Sequence, residues 1–234
     1  MDVSLKIWRF DPGTGEKALK RYDVEAPEWA CLLDVLDLIK DQVDGSLAYR
    51  KSCRMMICGS CGMRMDGRAV LACKERMKPI VESGHVPVIS AMGNMPVIKD
   101  LVVDMDQFFA SYEAVKPYLI AGDAPASEER RQTPEQLDRY EEATKCILCA
   151  SCTTSCPITW TNESFVGPAA IVNAARFIYD SRDEGAVERL RILNTQSGVW
   201  RCRTIFNCTE ACPRDIKVTN IIEDVKRTLL LEQV

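Results

Sequence analysis

Apolar and polar positions alternate from Leu5 to Phe10 and again from Leu19 to Val24, and the intervening DPGTGE is rich in turn formers, so the stretch predicts a β-hairpin. PEWACLLDVLDLIKDQV then carries its apolar residues at helical spacing, with Pro27 suited to a first turn. Cys31 falls on that stripe with Leu32, Val35 and Leu36 and reads as a small buried hydrophobe. MRMDGRAVL predicts a second hairpin closed by Asp66-Gly67, and HVPVIS a further strand. Residues 1–103 therefore read as a small mixed sheet with one helix packed across it.

The pattern changes after about Pro96. KDLVVDMDQFFASYEAV reads as a helix leading into the second half. AGDAPASEERRQTPEQ is a polar surface connection, with Thr133-Pro134 as a helix start near its end. PAAIVNAARFIYDSR, GAVERLRILN and VTNIIEDVKRTLLLEQ predict three more helices, and no stretch argues for a strand. Residues 104–234 read as an all-α domain, and the whole chain as α+β.

Composition alters this picture at one point. Twelve cysteines are present, and eleven fall in three groups: 53/58/61/73, 146/149/152/156 and 202/208/212. MDVSLKIWRFDPG lacks the apolar core of a signal peptide, so the expected address is a bacterial or archaeal cytoplasm. Thiols stay reduced there, and clustered spacing then points to metal. A net charge of −4 argues against nucleic acid as a partner, and no run reaches the roughly 18 apolar residues of a membrane span.

Cys53, Cys58, Cys61 and Cys73 give Cys-x4-Cys-x2-Cys plus a later cysteine, the plant-type ferredoxin spacing for [2Fe–2S]. Gly59 and Gly62 let the backbone close round it. Zinc is the alternative, but zinc usually takes two paired Cys-x2-Cys knuckles and this group has one.

CILCASCTTSCP, from Cys146 to Pro157, is the bacterial ferredoxin run, and CRTIFNCTEACP, from Cys202 to Pro213, repeats it with Ile205 in the slot of Cys149. In two-cluster ferredoxins the fourth cysteine of each run ligates the other cluster. Cys146, Cys149, Cys152 and Cys212 then hold a [4Fe–4S] cube. Cys156, Cys202 and Cys208 are one ligand short, which predicts [3Fe–4S]. The alternative, a decayed repeat without a cluster, leaves three cysteines and a Cys-Pro with no role. No GxGxxG or P-loop is present, and the single histidine, His85, reads as structural. The chain therefore reads as wiring between a donor and an acceptor held elsewhere, with no catalytic residue of its own.

SCRMMICGSCGMRMDGRAVLAC, CILCASCTTSCP, NESFVGPAAIVNAARFIYDSRD and CRTIFNCTEACP resemble the iron–sulfur subunit of succinate dehydrogenase and fumarate reductase, and the likeness runs over essentially the whole length. The resemblance implies a β-grasp [2Fe–2S] domain followed by an α-helical ferredoxin domain. It implies a flavoprotein partner with FAD that oxidises succinate to fumarate, membrane-anchor subunits able to bear haem, and a quinone acceptor. It also implies a peripheral position on the cytoplasmic face of a prokaryotic membrane. Quinol-to-fumarate flow, or a free-standing ferredoxin-type module, are the alternatives.

Ubiquinone-using relatives usually carry two tryptophans after the Cys-Pro. Here Trp160 matches the first and Thr161 replaces the second, while Arg203 stands where relatives often have histidine. These departures favour menaquinone over ubiquinone. Pro157, Trp160, Thr161, Arg203 and Ile205 are the quinone-binding candidates, with core packing as the other reading of Trp160. Basic residues flank every cysteine group: Arg50, Lys51 and Arg54; Lys145; Arg201 and Arg203; Arg214 and Lys217. They are cations that raise cluster potentials or contacts to partners.

Overall fold

Val3, Leu5 and Ile7 point one way from β1 (Asp2–Phe10) and are almost wholly buried, as period-2 alternation requires. β1 pairs antiparallel with β2 (Lys17–Glu25) over its full length. Helix α1 (Leu32–Gln42) turns Leu32, Leu33, Val35, Leu36 and Ile39 onto the same core. Each such side chain contributes about 1.5–3 kcal/mol by leaving water. β3 (Gly62–Met65) and β4 (Arg68–Leu71) form the second hairpin. Its turn has Asp66 at φ 52° and Gly67 at φ 79°, the pair of positive φ values that Asp-Gly supplies. After α2 (Met77–Glu82), β5 (Val88–Ser90) runs parallel to β1 and antiparallel to β3. The five-stranded sheet has the order β2-β1-β5-β3-β4, a β-grasp arrangement with α1 across it.

This is a computed structural model, and it describes residues 1–122 and 129–232. It has two compact units: Met1–Met105 with Ile147–Ser155, and Asp106–Cys146 with Cys156–Val234. Part of the polar connection expected over AGDAPASEERRQTPEQ lies outside the described residues.

Three local expectations are corrected. The helix expected from Lys99 forms only over α3 (Asp106–Ala114); the residues before it make a small hairpin of β6 (Val97–Lys99) and β7 (Val102–Val103). The cause is Asp100, at φ 50°, whose buried carboxylate accepts from Arg9 Nε (2.8 Å) and from the amides of Phe10 (3.1 Å) and Ala48 (2.8 Å). That turn is tied to β1, so a helix cannot pass through it. Likewise, α1 begins five residues after Pro27, with Cys31 in extended geometry as its N-cap. Cys31 is buried, but its amide and Sγ both face Asp34 Oδ2 at 2.9 Å, a cap rather than a helical stripe. His85 lies three residues before β5, with Nε2 2.9 Å from Asp66 Oδ2, consistent with a structural role.

The second unit is helical among the described residues. α4 (Pro134–Asp138), capped by Thr133, and α5 (Glu141–Thr144) precede the first ferredoxin run. Within that run lies α6 (Ser151–Thr154), which belongs to the first unit, and at its last residue begins α7 (Pro157–Thr161). α8 (Pro168–Ile178) is the central helix, buried at nine of its eleven positions. α9 (Ala186–Leu193) follows, then a 3-10 turn (Val199–Arg201), α10 (Asn207–Glu210) and α11 (Val218–Glu232). Arg189 of α9 is fully buried on Asp183 (2.6 Å) and donates to the carbonyls of Lys116 and Tyr118, holding the chain that enters the unit.

Candidate metal centres

The first cysteine group forms because a loop and a hairpin meet. Gly62 pairs with Leu71 in the β3–β4 ladder, which places Cys61 and Cys73 at its mouth with their sulfurs 3.4 Å apart. Cys53 and Cys58 come from the loop after α1, where the Cys53 amide donates to Cys58 Sγ at 3.5 Å. Cys53 Sγ accepts the amides of Met55 (3.4 Å), Ile57 (3.3 Å) and Cys58 (3.3 Å). Arg54 and Met56, at φ 60° and 61°, turn alternate peptides so that these N–H groups share one sulfur. Such left-handed kinks cost about 1–3 kcal/mol each and make an anion-holding nest.

The electrostatics separate the thiols. Burial raises the Cys58 thiol, but hydrogen bonds from Ser60 and Cys53 outweigh it and bring it down to about 6. Burial pushes Cys61 up; the Cys73 amide pulls the other way, but the Cys73 and Cys58 sulfurs add to the rise. A buried thiol of this kind becomes a thiolate only against metal charge.

Helix α1 clamps the loop. Asp37 accepts from Tyr49 Oη, from Lys51 Nζ (2.7 Å) and from Arg54, while Asp34 accepts Arg54 Nη1 at 3.1 Å. Burial pushes the Asp37 carboxyl up, yet the donors Lys51, Tyr49 and Arg54 hold it below the usual carboxylate range. Asp37→Ala is expected to cost about 1–3 kcal/mol locally. Iron release from the first group to a chelator should accelerate, with the helical-half iron unchanged.

Residues 147–155 pack onto this same loop. A Cβ on Gly59, whose φ is +70°, would stand 2.8 Å from the Ile147 carbonyl oxygen and 2.9 Å from Cys149 Cα and Cβ. A Cβ on Gly62 would stand 3.2 Å from the Cys149 carbonyl oxygen. Thr154 completes the seat: its hydroxyl donates to the Gly93 carbonyl (2.8 Å), and its carbonyl accepts from Arg64 (3.3 Å) and Asn94 (3.4 Å). Cys149 and Cys152 belong to this unit.

The remaining cysteines of the two runs lie in the second unit. Burial, first of all, pushes up the thiols of Cys156, Cys208 and Cys212. Cys202 adds to the shift on Cys156, Cys202 and Cys156 add to that on Cys208, and Cys146 adds to that on Cys212. Cys156, Cys202 and Cys208 are thus one electrostatic group, and Cys146 with Cys212 another. Asn173 Nδ2 of α8 lies 3.4 Å from Cys146 Sγ, and Thr219 Oγ1 of α11 lies 3.4 Å from Cys208 Sγ. Spacing rules could not place these two partners, because they come from distant helices.

The two runs share backbone as well as sequence. Leu148 and Ala150 flank Cys149 at φ 53° and 61°, and Thr204 and Phe206 flank Ile205 at φ 55° and 70°. A four-residue helix follows each loop. Ile205 therefore occupies the backbone slot of a cysteine without its sulfur. Its side chain is 47% exposed, so the core does not need it.

The residues present fit polynuclear clusters. The buried Nε atoms of Arg201, next to Cys202 in sequence, and of Arg214, two residues after Cys212, have no hydrogen-bond partner among the described residues, and a cluster's anionic sulfur could supply one. Among the described residues no three His, Cys, Asp or Glu groups converge as one ion would need. Cluster thiolates are spread over several irons and need not do so. Of the quinone candidates, Pro157 opens α7 and Trp160 is 50% exposed on it, which disfavours core packing. Thr161 turns its hydroxyl back to the Pro157 and Ile158 carbonyls (3.4 and 3.3 Å), and Arg203 and Ile205 are exposed on the second run.

Residues 4–110 match the family described as a 2Fe-2S iron-sulfur cluster binding domain, and residues 139–213 the family described as a 4Fe-4S dicluster domain. The fumarate reductase iron-sulfur subunit of Haemophilus influenzae is 38% identical over 96% of this chain and 91% of its own. The succinate dehydrogenase iron-sulfur subunit of Paracoccus denitrificans is 40% identical over 97% of this chain and 87% of its own. A chain of the Mycobacterium smegmatis Sdh1 complex in the apo form superposes with a TM-score of 0.89 at 28% identity, covering 99% of this chain and 97% of that one.

Proposed function

Since the chain belongs to the family of succinate dehydrogenase and fumarate reductase iron–sulfur subunits, we propose that it carries electrons one at a time from a succinate-oxidising flavoprotein subunit with FAD to a membrane quinone. It is a subunit of an oxidoreductase complex, and a flavoprotein and membrane anchors are its partners. No helix of the described residues is long and apolar enough to cross a membrane. A peripheral place at the membrane is the one its family supports. The cytoplasmic face of a prokaryotic membrane is the side we propose.

Three clusters, [2Fe–2S], [4Fe–4S] and [3Fe–4S], supply the one-electron stations when bound. Cys53, Cys58, Cys61 and Cys73 would hold the first; Cys146, Cys149, Cys152 and Cys212 the second; Cys156, Cys202 and Cys208 the third. Residues 1–103 would form the first cluster domain and 104–234 the second. The chain's own residues set the environment. Three amides stabilise the Cys53 thiolate, Asp37 holds the loop that presents them, and Gly59 admits the Cys149 backbone against that loop.

The observation that supports the reading is the repeated loop geometry at Cys149 and Ile205, one slot filled by a cysteine and one by an isoleucine. EPR of the purified complex tests it: a [3Fe–4S] signal when oxidised, with [2Fe–2S] and [4Fe–4S] signals on reduction. A pair of complete cubes, or no iron, rejects it.

The quinone site is proposed at Pro157, Trp160, Thr161, Arg203 and Ile205, with menaquinone favoured over ubiquinone because Thr161 and Arg203 replace the residues of ubiquinone-using relatives. Trp160→Leu is expected to raise the quinone KM about tenfold, a loss of ~1.4 kcal/mol, with all three EPR signals intact. Unchanged quinone kinetics would remove Trp160 from the site.

A further inference from the structure

We propose that Thr219 tunes the reduction potential of the [3Fe–4S] cluster by donating its hydroxyl hydrogen to the Cys208 sulfur; the inference rests on the assignment of Cys208 to that cluster. Thr219 is the second residue of α11 and is 1% exposed, and Cys208 is 7% exposed. The Thr219 amide donates to Thr209 Oγ1 at 2.9 Å, and the Thr209 hydroxyl donates back to Thr219 Oγ1 at 2.9 Å.

That ladder fixes the rotor. Thr209 supplies the hydrogen between the two hydroxyls, so the hydrogen of Thr219 must point elsewhere. Cys208 Sγ, 3.4 Å away, is the remaining partner, and a ligating thiolate only accepts. Thr209 is therefore a positioning residue and Thr219 the donor.

One-electron reduction adds negative charge to the cluster and its thiolates. A donor held against one of those sulfurs stabilises the reduced form more than the oxidised one, which raises the potential. The effect is large here because the site is buried and water cannot replace the donor. Cys202 of the same group receives the Thr204 amide at 3.5 Å from an exposed loop, where solvent can substitute.

Potentiometric EPR titration of the complex tests the proposal. Thr219→Val keeps the shape and removes the donor. It is expected to shift the [3Fe–4S] one-electron equilibrium about tenfold toward the oxidised form, ~59 mV downward, with [2Fe–2S] and [4Fe–4S] unmoved. Thr219→Ser should hold the original potential. Thr209→Val keeps the Thr219 hydroxyl but removes the partner that fixes its rotor, and should shift the potential in the same direction as Thr219→Val. If Thr219→Val does not load the cluster, Thr219→Ala is titrated in its place. An unmoved potential in the donor-less variant overturns the proposal, as does a potential in Thr219→Ser as low as that of Thr219→Val. Absence of a [3Fe–4S] signal in the unmodified complex overturns the cluster assignment itself, and that result involves no variant.

Discussion

Ile205→Cys is expected to extinguish the [3Fe–4S] signal of the oxidised complex and to raise the iron content by one atom per chain. Cys149 sits between two left-handed residues, Leu148 and Ala150, and Ile205 sits between Thr204 and Phe206 in the same conformation. A thiol at 205 would leave the backbone as the thiol of Cys149 does. The isoleucine is 47% exposed, so replacing it should cost within about 0.5 kcal/mol of fold stability. The change falls on the metal: a fourth thiolate completes a cube and adds negative charge, which lowers the potential of the station beside the proposed quinone site. A drop on the order of 120 mV shifts a one-electron equilibrium a hundredfold, so succinate-to-quinone turnover should fall steeply while succinate oxidation with an artificial acceptor persists. Ile205→Val, which adds no ligand, should keep the [3Fe–4S] signal and the iron content of the unmodified protein. Persistence of the [3Fe–4S] signal in the cysteine variant would remove Ile205 from the ligand slot.

What could be read in the chain was what covalent spacing determines. Cys53, Cys58 and Cys61 lie within nine residues, and the later runs repeat one another, so donor sets can be counted before any folding is known. The Asp66-Gly67 hairpin was legible for the same local reason: both residues adopt the positive φ that their chemistry favours. The segment after Val97 was not. Val102 and Val103 suit a helix or a strand, and the choice is made by Asp100 accepting from Arg9, some ninety residues earlier. The start of α1 was missed because Cys31 is an unusual cap, fixed by Asp34 and by a bridge to Arg76. Nor could spacing pair Cys146 with Asn173 or Cys208 with Thr219, since a donor's value depends on where its helix lies.

Gly59→Ala is expected to disturb the loop of the first cysteine group and the seat of Cys149 together. The added methyl would stand 2.8 Å from the Ile147 carbonyl oxygen and 2.9 Å from Cys149 Cα and Cβ. Two of these are backbone atoms, so no rotamer change relieves the clash. The residue must also remain at φ +70°, which costs an L side chain about 1–2 kcal/mol. Overpacking adds about 1–3 kcal/mol. Gly67, also at positive φ, has nothing within 4 Å of its would-be Cβ, so Gly67→Ala isolates the conformational cost. The difference between the two variants is then the price of separating residue 59 from Cys149. Thermal melting should place Gly59→Ala below Gly67→Ala by several degrees. The functional effect should be larger still, because the clash moves the backbone of a proposed [4Fe–4S] ligand away from the [2Fe–2S] loop. Spin–spin broadening between the two reduced clusters should weaken in Gly59→Ala and not in Gly67→Ala, with slower reduction of [4Fe–4S] by succinate. Equal broadening in both variants would mean that the loop and Cys149 move as one body and that Gly59 does not govern their approach.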